Sequence, residues 1–273
     1  MRGFLYNPPR MPLSITASYA FFPLSAEELS SLQQILKDFG DARGMKGLVL
    51  VAPEGINSTV CGSPEAILEW KEKMRSLKSD ILFKDSGADR MPFRRWSVKI
   101  KPELITYKQA GIAPKGHHHH LSPQAWNTMM ERDDVVLVDT RNTFESEMGK
   151  FRGAVTPSIK HFQDFPEAVK SANIPKDKTV MLYCTGGIRC EKAVLSMEQQ
   201  GYENVYQLEG GILAYMEEFP NDAFEGECFV FDHRVAVDQQ LRPSTTYRLC
   251  LECGEPVKGA ACRNCAKKIV SAV

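Results

Sequence analysis

The sequence predicts a multidomain α+β and α/β protein that ends in a small cysteine-rich module. Three observations predict this. Strand and helix patterns over 13–84 follow the order βαββαβ. Between 135 and 208, short apolar runs alternate with helix-forming stretches, as in a parallel sheet covered on both faces. Two Cys-x-x-Cys pairs lie close to the C-terminus. A chain of 273 residues has room for two or three domains. We place them at 1–110, 121–222 and 223–273.

The first domain reads as follows. Residues 13–22 are rich in β-branched and aromatic types and predict a strand. Ser25 caps a helix, with Glu28 three residues on in a capping-box pattern. Leu29, Leu32, Ile35, Leu36 and Phe39 recur at helical spacing and mark its inner face. Strands are expected at 47–52 and 56–61, joined by the Pro53-Glu54-Gly55 turn. Ser63-Pro64 starts a second helix, with serine as cap and proline at its first position. A fourth strand is expected at 80–84. This order predicts a ferredoxin-like domain: an antiparallel sheet with two helices on one face.

Residues 86–102 are polar and basic, with Arg90, Arg94, Arg95, Lys99 and Lys101 set around Phe93 and Trp96. Basic residues interleaved with aromatics suit an RNA backbone and unstacked bases. The same pattern suits a solvated surface strand with Trp96 and Val98 turned inward. Residues 105–120 read as a connector broken by Gly111, Pro114 and Gly116. Its four successive histidines, His117 to His120, cannot all face one metal, so a solvated linker is expected.

The second domain opens with a helix at Ser122-Pro123 and has strands over 135–139, 180–184 and 205–208. Its chemistry centres on Cys184-Thr185-Gly186-Gly187-Ile188-Arg189. Here an apolar strand ends at a cysteine, and a helix-forming stretch follows the loop. Backbone N–H groups and the positive end of a helix dipole favour a thiolate. Gly186 and Gly187 can curl those N–H groups inward, and Arg189 adds a fixed positive charge. Cys184 is therefore the candidate nucleophile, at the strand end where parallel sheets place ligands. Cys190 just past the loop is either a resolving thiol or a buried helix residue. Cys61 and Cys228 sit in strand-like runs and read as packing.

Only Thr185 to Ile188 separate Cys184 from Arg189, one residue fewer than in the loop of cysteine phosphatases. The smaller cradle resembles the active-site loop of the rhodanese (sulfurtransferase) family, which holds a persulfide sulfur. The resemblance extends to Val135-Val136-Leu137-Val138-Asp139-Thr140-Arg141, similar to the family's strand ending in Asp-x-Arg. It also covers Glu145 and Gly149-Lys150-Phe151-Arg152-Gly153-Ala154, where Lys150 replaces the usual histidine. Gln207-Leu208-Glu209-Gly210-Gly211-Ile212 resembles its last strand and Gly-Gly turn. Asp139 and Arg141 are expected to be structural, holding the active-site end of the sheet through buried hydrogen bonds.

Composition sets limits. The formal net charge is zero, so any polyanion surface must be local. No apolar run is long enough to cross a membrane. Met1 to Pro12 lacks an apolar core of signal-peptide length, which suggests a cytoplasmic protein with reduced thiols. Cys250, Cys253, Cys262 and Cys265 then read as a structural zinc site. With four thiolates committed, such an ion keeps no open position. No flavin, haem or nicotinamide motif is recognisable, and oligomeric state is not encoded in any motif.

Three features together resemble the rhodanese-containing tRNA uridine hydroxylases. They are a ferredoxin-like domain carrying Glu54-Gly55-Ile56-Asn57, the loop from Cys184 to Lys192, and the segment from Gly226 to Val237. The resemblance implies oxygen-dependent formation of 5-hydroxyuridine at the wobble position of tRNA. It implies O2 as cosubstrate, the tRNA anticodon region as partner and Cys184 as the essential cysteine. The alternative is a thiosulfate-type sulfurtransferase carrying a cysteine persulfide.

Overall fold

The computed structural model describes residues 13–116 and 118–259, together with Cys262 and Cys265. The N-terminal stretch 1–12 and His117 lie outside the described residues.

The first domain contains β1 (Leu13–Phe21), α1 (Ala26–Ala42), β2 (Lys46–Ala52), β3 (Gly55–Gly62), α2 (Pro64–Leu77), β4 (Phe83–Ala88) and β5 (Trp96–Ile100). Its sheet order is β4-β1-β3-β2-β5. The first four strands form the expected antiparallel sheet, and β5 adds a fifth by pairing parallel with β2. Both helices start where their serines cap them. Ser25 accepts from the Glu28 N–H while the Glu28 carboxylate accepts from the Ser25 N–H, and Ser63 accepts from the Ala66 N–H. Such caps contribute about 1 kcal/mol each.

Alternation along the strands gives the sheet two different faces. Ala20, Val49, Val51, Ile56, Val60 and Val98 pack under Leu32, Leu36, Ile67, Trp70 and Met74 of the helices. The alternate residues Tyr19, Leu50 and Asn57 line the opposite face, which the second domain covers. Trp96 turns inward, edge-on to Trp70 with ring centroids 5.6 Å apart, and donates to the Leu36 carbonyl. A side chain at Gly40 would strike the Trp96 ring, so glycine is required there for close approach.

Three expectations need correction. The fourth strand lies at Phe83–Ala88 and not 80–84, because its register with β1 pairs Phe83 with Ser18 and Ala88 with Leu13. Ile35 is exposed and is not part of the helix's inner face. The 105–120 segment is a solvated connector only in part: Tyr107 is buried in the second domain's core, and His120 enters that domain's sheet.

The second domain runs β6 (His120–Leu121), α3 (Pro123–Met129), β7 (Val135–Asp139), α4 (Thr143–Met148), β8 (Gly149–Phe151), α5 (Phe165–Ser171), β9 (Thr179–Tyr183), α6 (Ile188–Gln199), β10 (Val205–Leu208) and α7 (Gly211–Glu218). The strands β6-β10-β9-β7 form an all-parallel sheet. Val180 and Leu182 face α5 and α6, whereas Met181 and Tyr183 face Trp126, Ile212 and Tyr215. Every residue of β9 is buried, as a parallel strand covered on both sides requires. Asp139 and Arg141 form a fully buried pair, with further bonds to Ser146 and the Gly149 carbonyl. The buried hydrogen bonds expected of these two residues are therefore present, and they pair the two with each other.

The chain continues through β11 (Phe224–Gly226), which pairs with β8, and the hairpin of β12 (Cys228–Phe229) with β13 (Ala236–Val237). A last hairpin, β14 (Tyr247–Leu249) with β15 (Pro256–Lys258), carries the terminal cysteines.

Candidate active site

Cys184 follows the last residue of β9, and the loop to Gly187 leads into α6. The start of α7 anchors the loop: the Ile212 N–H donates to the Cys184 carbonyl and the Leu213 N–H to the Thr185 carbonyl. Gly211 permits this approach, since a side chain there would sit 2.5 Å from the Cys184 carbonyl oxygen. Gly187 has φ of +98°, which turns its N–H onto the sulfur: N to Sγ is 3.1 Å.

The thiol is fully buried yet ionises easily. Burial raises its pKa, but the hydrogen bond from Cys190, the Arg189 charge and the Arg189 and Gly187 amides outweigh it. They hold Cys184 well below the ordinary thiol range. Burial, and then the neighbouring Cys184 sulfur, push Cys190 the opposite way, so it stays protonated. Thr140 Oγ1 lies 3.7 Å from the Cys190 sulfur. Cys190 is buried in α6, beside the Cys184 sulfur. Burial raises Cys228 to about 12 and Cys61 to about 11, in keeping with packing roles. Arg189 holds Glu145 through two hydrogen bonds of 2.6 and 2.8 Å and donates to Thr185 Oγ1 at 3.4 Å.

The loop forms one wall of a cleft of about 280 Å³. The opposite wall is the open face of the first domain's sheet, with Tyr19, Leu50, Asn57 and Lys84. The segment after β12 supplies Phe231 and Arg234, and Phe93 and Leu104 also line the cleft. Ionic ties hold these walls together. Lys192 of α6 bonds Glu54 at 2.9 Å and Glu103 at 2.7 Å. Tyr19 donates to Glu191 at 2.9 Å, and His120 contacts the same carboxylate oxygen at 2.9 Å. Arg234 is chelated by Asp232 and donates to Ser86 at 2.7 Å.

Among the basic residues singled out in the sequence, Arg90, Arg94, Arg95, Lys99 and Lys101 are all exposed, while Val98 is buried between them. They surround Phe93 in sequence but do not enter the cleft lining. Sequence reasoning missed Tyr19, Lys84, Glu191 and Phe231. Nothing local marks them, because a lysine or tyrosine in an amphipathic strand reads as solvent-facing.

The sulfurs of Cys250, Cys253, Cys262 and Cys265 lie within 4.8 Å of one another, with Cys250–Cys265 and Cys253–Cys262 each at 3.6 Å. Zinc–sulfur bonds near 2.3 Å would place tetrahedral sulfurs roughly 3.8 Å apart. The donor set thus fits a tetrahedral metal ion.

Comparison with known proteins adds to this geometry. Residues 13–104 match a family described as UPF0176 acylphosphatase like domain, 122–218 match the rhodanese-like domain, and 225–270 match the rhodanase C-terminal family. The chain is 48% identical over 247 residues to the tRNA uridine(34) hydroxylase of Bdellovibrio bacteriovorus, covering 89% of this chain and 70% of that one. It is 42% identical over 268 residues to the tRNA uridine(34) hydroxylase of Teredinibacter turnerae, covering 92% and 83%. The solved rhodanese-like domain of an Anabaena sp. protein is 21% identical, with a TM-score of 0.35, covering 40% of this chain and 80% of that one.

Proposed function

The chain belongs to the tRNA uridine(34) hydroxylase family, and from that premise we propose that it converts uridine at tRNA position 34 to 5-hydroxyuridine, with dioxygen as cosubstrate and Cys184 as nucleophile. The observation that carries this reading is the buried Cys184 thiolate facing a cleft walled by all three parts of the chain. A target base turned out of the anticodon would enter the cleft. Attack of the sulfur on C6 would make C5 electron-rich and open to an oxidant. Phe93 and Phe231 offer rings on which a base can stack. Arg90, Arg94, Arg95, Lys99 and Lys101 supply exposed charge for the phosphates of the anticodon region.

Arg189, Thr185 to Ile188 and the Cys190 thiol serve the sulfur rather than the base. They hold its charge and orientation, and Cys190 acts as a hydrogen-bond donor in place of a resolving thiol. The four terminal cysteines would hold a structural zinc ion that ties the last hairpin together. No helix among the described residues is long and apolar enough to cross a membrane, and a tRNA substrate implies a cytoplasmic location.

The test is nucleoside mass spectrometry of tRNA from cells lacking the gene, complemented with wild type or Cys184→Ser. Loss of 5-hydroxyuridine derivatives, restored by wild type alone, is the expected result. An unchanged profile throughout would overturn it. The persulfide-carrying sulfurtransferase is favoured by the same thiolate cradle, and turnover of thiosulfate and cyanide without any tRNA effect would support it.

A further inference from the structure

Buried cations in this protein come with carboxylates. Arg141 has Asp139, Arg189 has Glu145, Lys192 has Glu54 and Glu103, and Arg234 has Asp232. Lys84 is the exception. It is 5% exposed, and among the described residues its ammonium makes no ion pair and no hydrogen bond. It stands over the Tyr19 ring, with Nζ 4.6 Å from the ring centroid. Its stem crosses the domain interface onto the reactive loop: a side-chain carbon on Gly186 would lie 3.8 Å from Lys84 Cε, and one on Gly210 3.7 Å from Cδ. Lys84 lines the same cleft as Cys184. No hydrogen bond commits the ammonium, so it can meet an oxygen on which negative charge develops in the cleft.

We propose that Lys84 is a catalytic residue, whose Nζ meets the O4 oxygen of the target uracil as Cys184 adds to C6. This rests on the hydroxylase reading and names the cation for its first chemical step. In that step the Cys184 thiolate gives an electron pair to form the S–C6 bond. The C5=C6 π pair shifts to C4–C5, and the C4=O4 π pair moves onto O4. The single negative charge passes from sulfur to oxygen. Lys84 gives O4 its proton, leaving an enol and a neutral amine. No electrons enter or leave, so the step needs no oxidant. Burial brings the Lys84 ammonium down to about 8, partly offset by the Cys184 and Glu191 charges, which suits a group that must release its proton near neutral pH. Arg189 cannot take this role while both guanidinium ends are held by Glu145.

Reversible addition at C6 lets C5 exchange its hydrogen with solvent. The test incubates the full-length protein with tRNA unmodified at position 34 in D2O without oxygen, and reads deuterium at C5 by mass spectrometry. Wild type should exchange and Cys184→Ser should not. Lys84→Met should slow both exchange and aerobic hydroxylation by roughly 100-fold, with tRNA affinity unchanged and partial recovery in Lys84→Arg. Iodoacetamide alkylation of Cys184 and thermal denaturation report whether each variant is folded. Wild-type exchange rates in Lys84→Met would overturn the role of Lys84 and leave the hydroxylase reading standing. Loss of tRNA binding and folding in both Lys84 variants would make the residue structural and also overturn it. A wild type that hydroxylates without exchanging would remove C6 addition, and the proposal with it.

Discussion

Arg189 meets the Glu145 carboxylate end-on, Nη1 to Oε2 at 2.6 Å and Nη2 to Oε1 at 2.8 Å, and both groups are buried. The pairing joins α6 to α4 across the floor of the candidate site. It also fixes the Arg189 charge, which favours the Cys184 thiolate, in position and partly neutralises it. The thiolate is therefore held as much by local hydrogen bonds as by a free cation.

Replacing Glu145 with Gln tests this pairing. It leaves the buried Arg189 charge uncompensated, so unfolding in urea should show a loss of roughly 3–5 kcal/mol. The same change leaves more positive charge beside the sulfur, so any folded fraction should alkylate faster at low pH. Unaltered stability would mean that the pair contributes nothing to the fold.

Alkylation of Cys184 by iodoacetamide should already be fast at pH 6, well below the ordinary thiol value of about 8.5. The sign follows from the depressed pKa. The stabilisation from the thiolate is fully present above the unfolded-state value and is lost as pH falls through the folded-state value. Removing the Cys190 donor with Cys190→Ala should move half-maximal alkylation to higher pH. A pH–rate profile on single-cysteine-reactive protein, with labelling sites read by peptide mass spectrometry, checks both points.

The residues that sequence reasoning reached are those whose signals are local. Ser25 with Glu28 and Ser63 with Pro64 cap helices within four positions. The Cys184 loop also holds strand, turn and helix in one stretch. The misses depend on distant partners. Strand β5, with Trp96 and Val98 turned inward, is a surface strand as its sequence allows, but its parallel pairing with β2 has no local signal. His120 becomes a strand residue because Gln207 lies beside it. Lys84 is buried by the second domain, not by its own, so no periodicity within β4 reveals it.

Lys192 ties the second domain to the first through Glu54, Glu103 and the Ile105 carbonyl. Lys192→Met removes the cation and leaves two carboxylates that can reach solvent. The expected cost is roughly 3 kcal/mol, at the low end for breaking a buried pair. Hydrogen exchange should rise at the amides of Leu104 and Tyr107, which bond the Glu54 and Glu103 carboxylates. Activity should fall although Cys184 stays alkylatable, because the cleft needs both walls.

Metal analysis of the purified protein should give one zinc per chain, and Cys253→Ser should lower it. Chelation should unfold the β14–β15 hairpin locally while the two larger cores keep their melting transition, since Cys250, Val257 and Cys262 form a small cluster of their own. A global melt on chelation would show that the hairpin supports the whole fold.

Phe231 is 64% exposed and lines the cleft beside the reactive loop. Phe229 holds it edge-on at 4.9 Å, and the Arg189 guanidinium lies 5.8 Å from its ring centroid. An exposed aromatic supported from one side offers its free surface to a ligand, and stacking a base on such a ring is worth roughly 1–3 kcal/mol. Phe231→Ala should therefore lower kcat/KM for tRNA by roughly 5- to 150-fold and leave stability nearly unchanged, because little buried surface is lost. Phe231→Tyr should keep most activity, since the ring is what stacks. An alanine variant with wild-type kcat/KM would place the target base elsewhere in the cleft, with Phe93 the next ring to test.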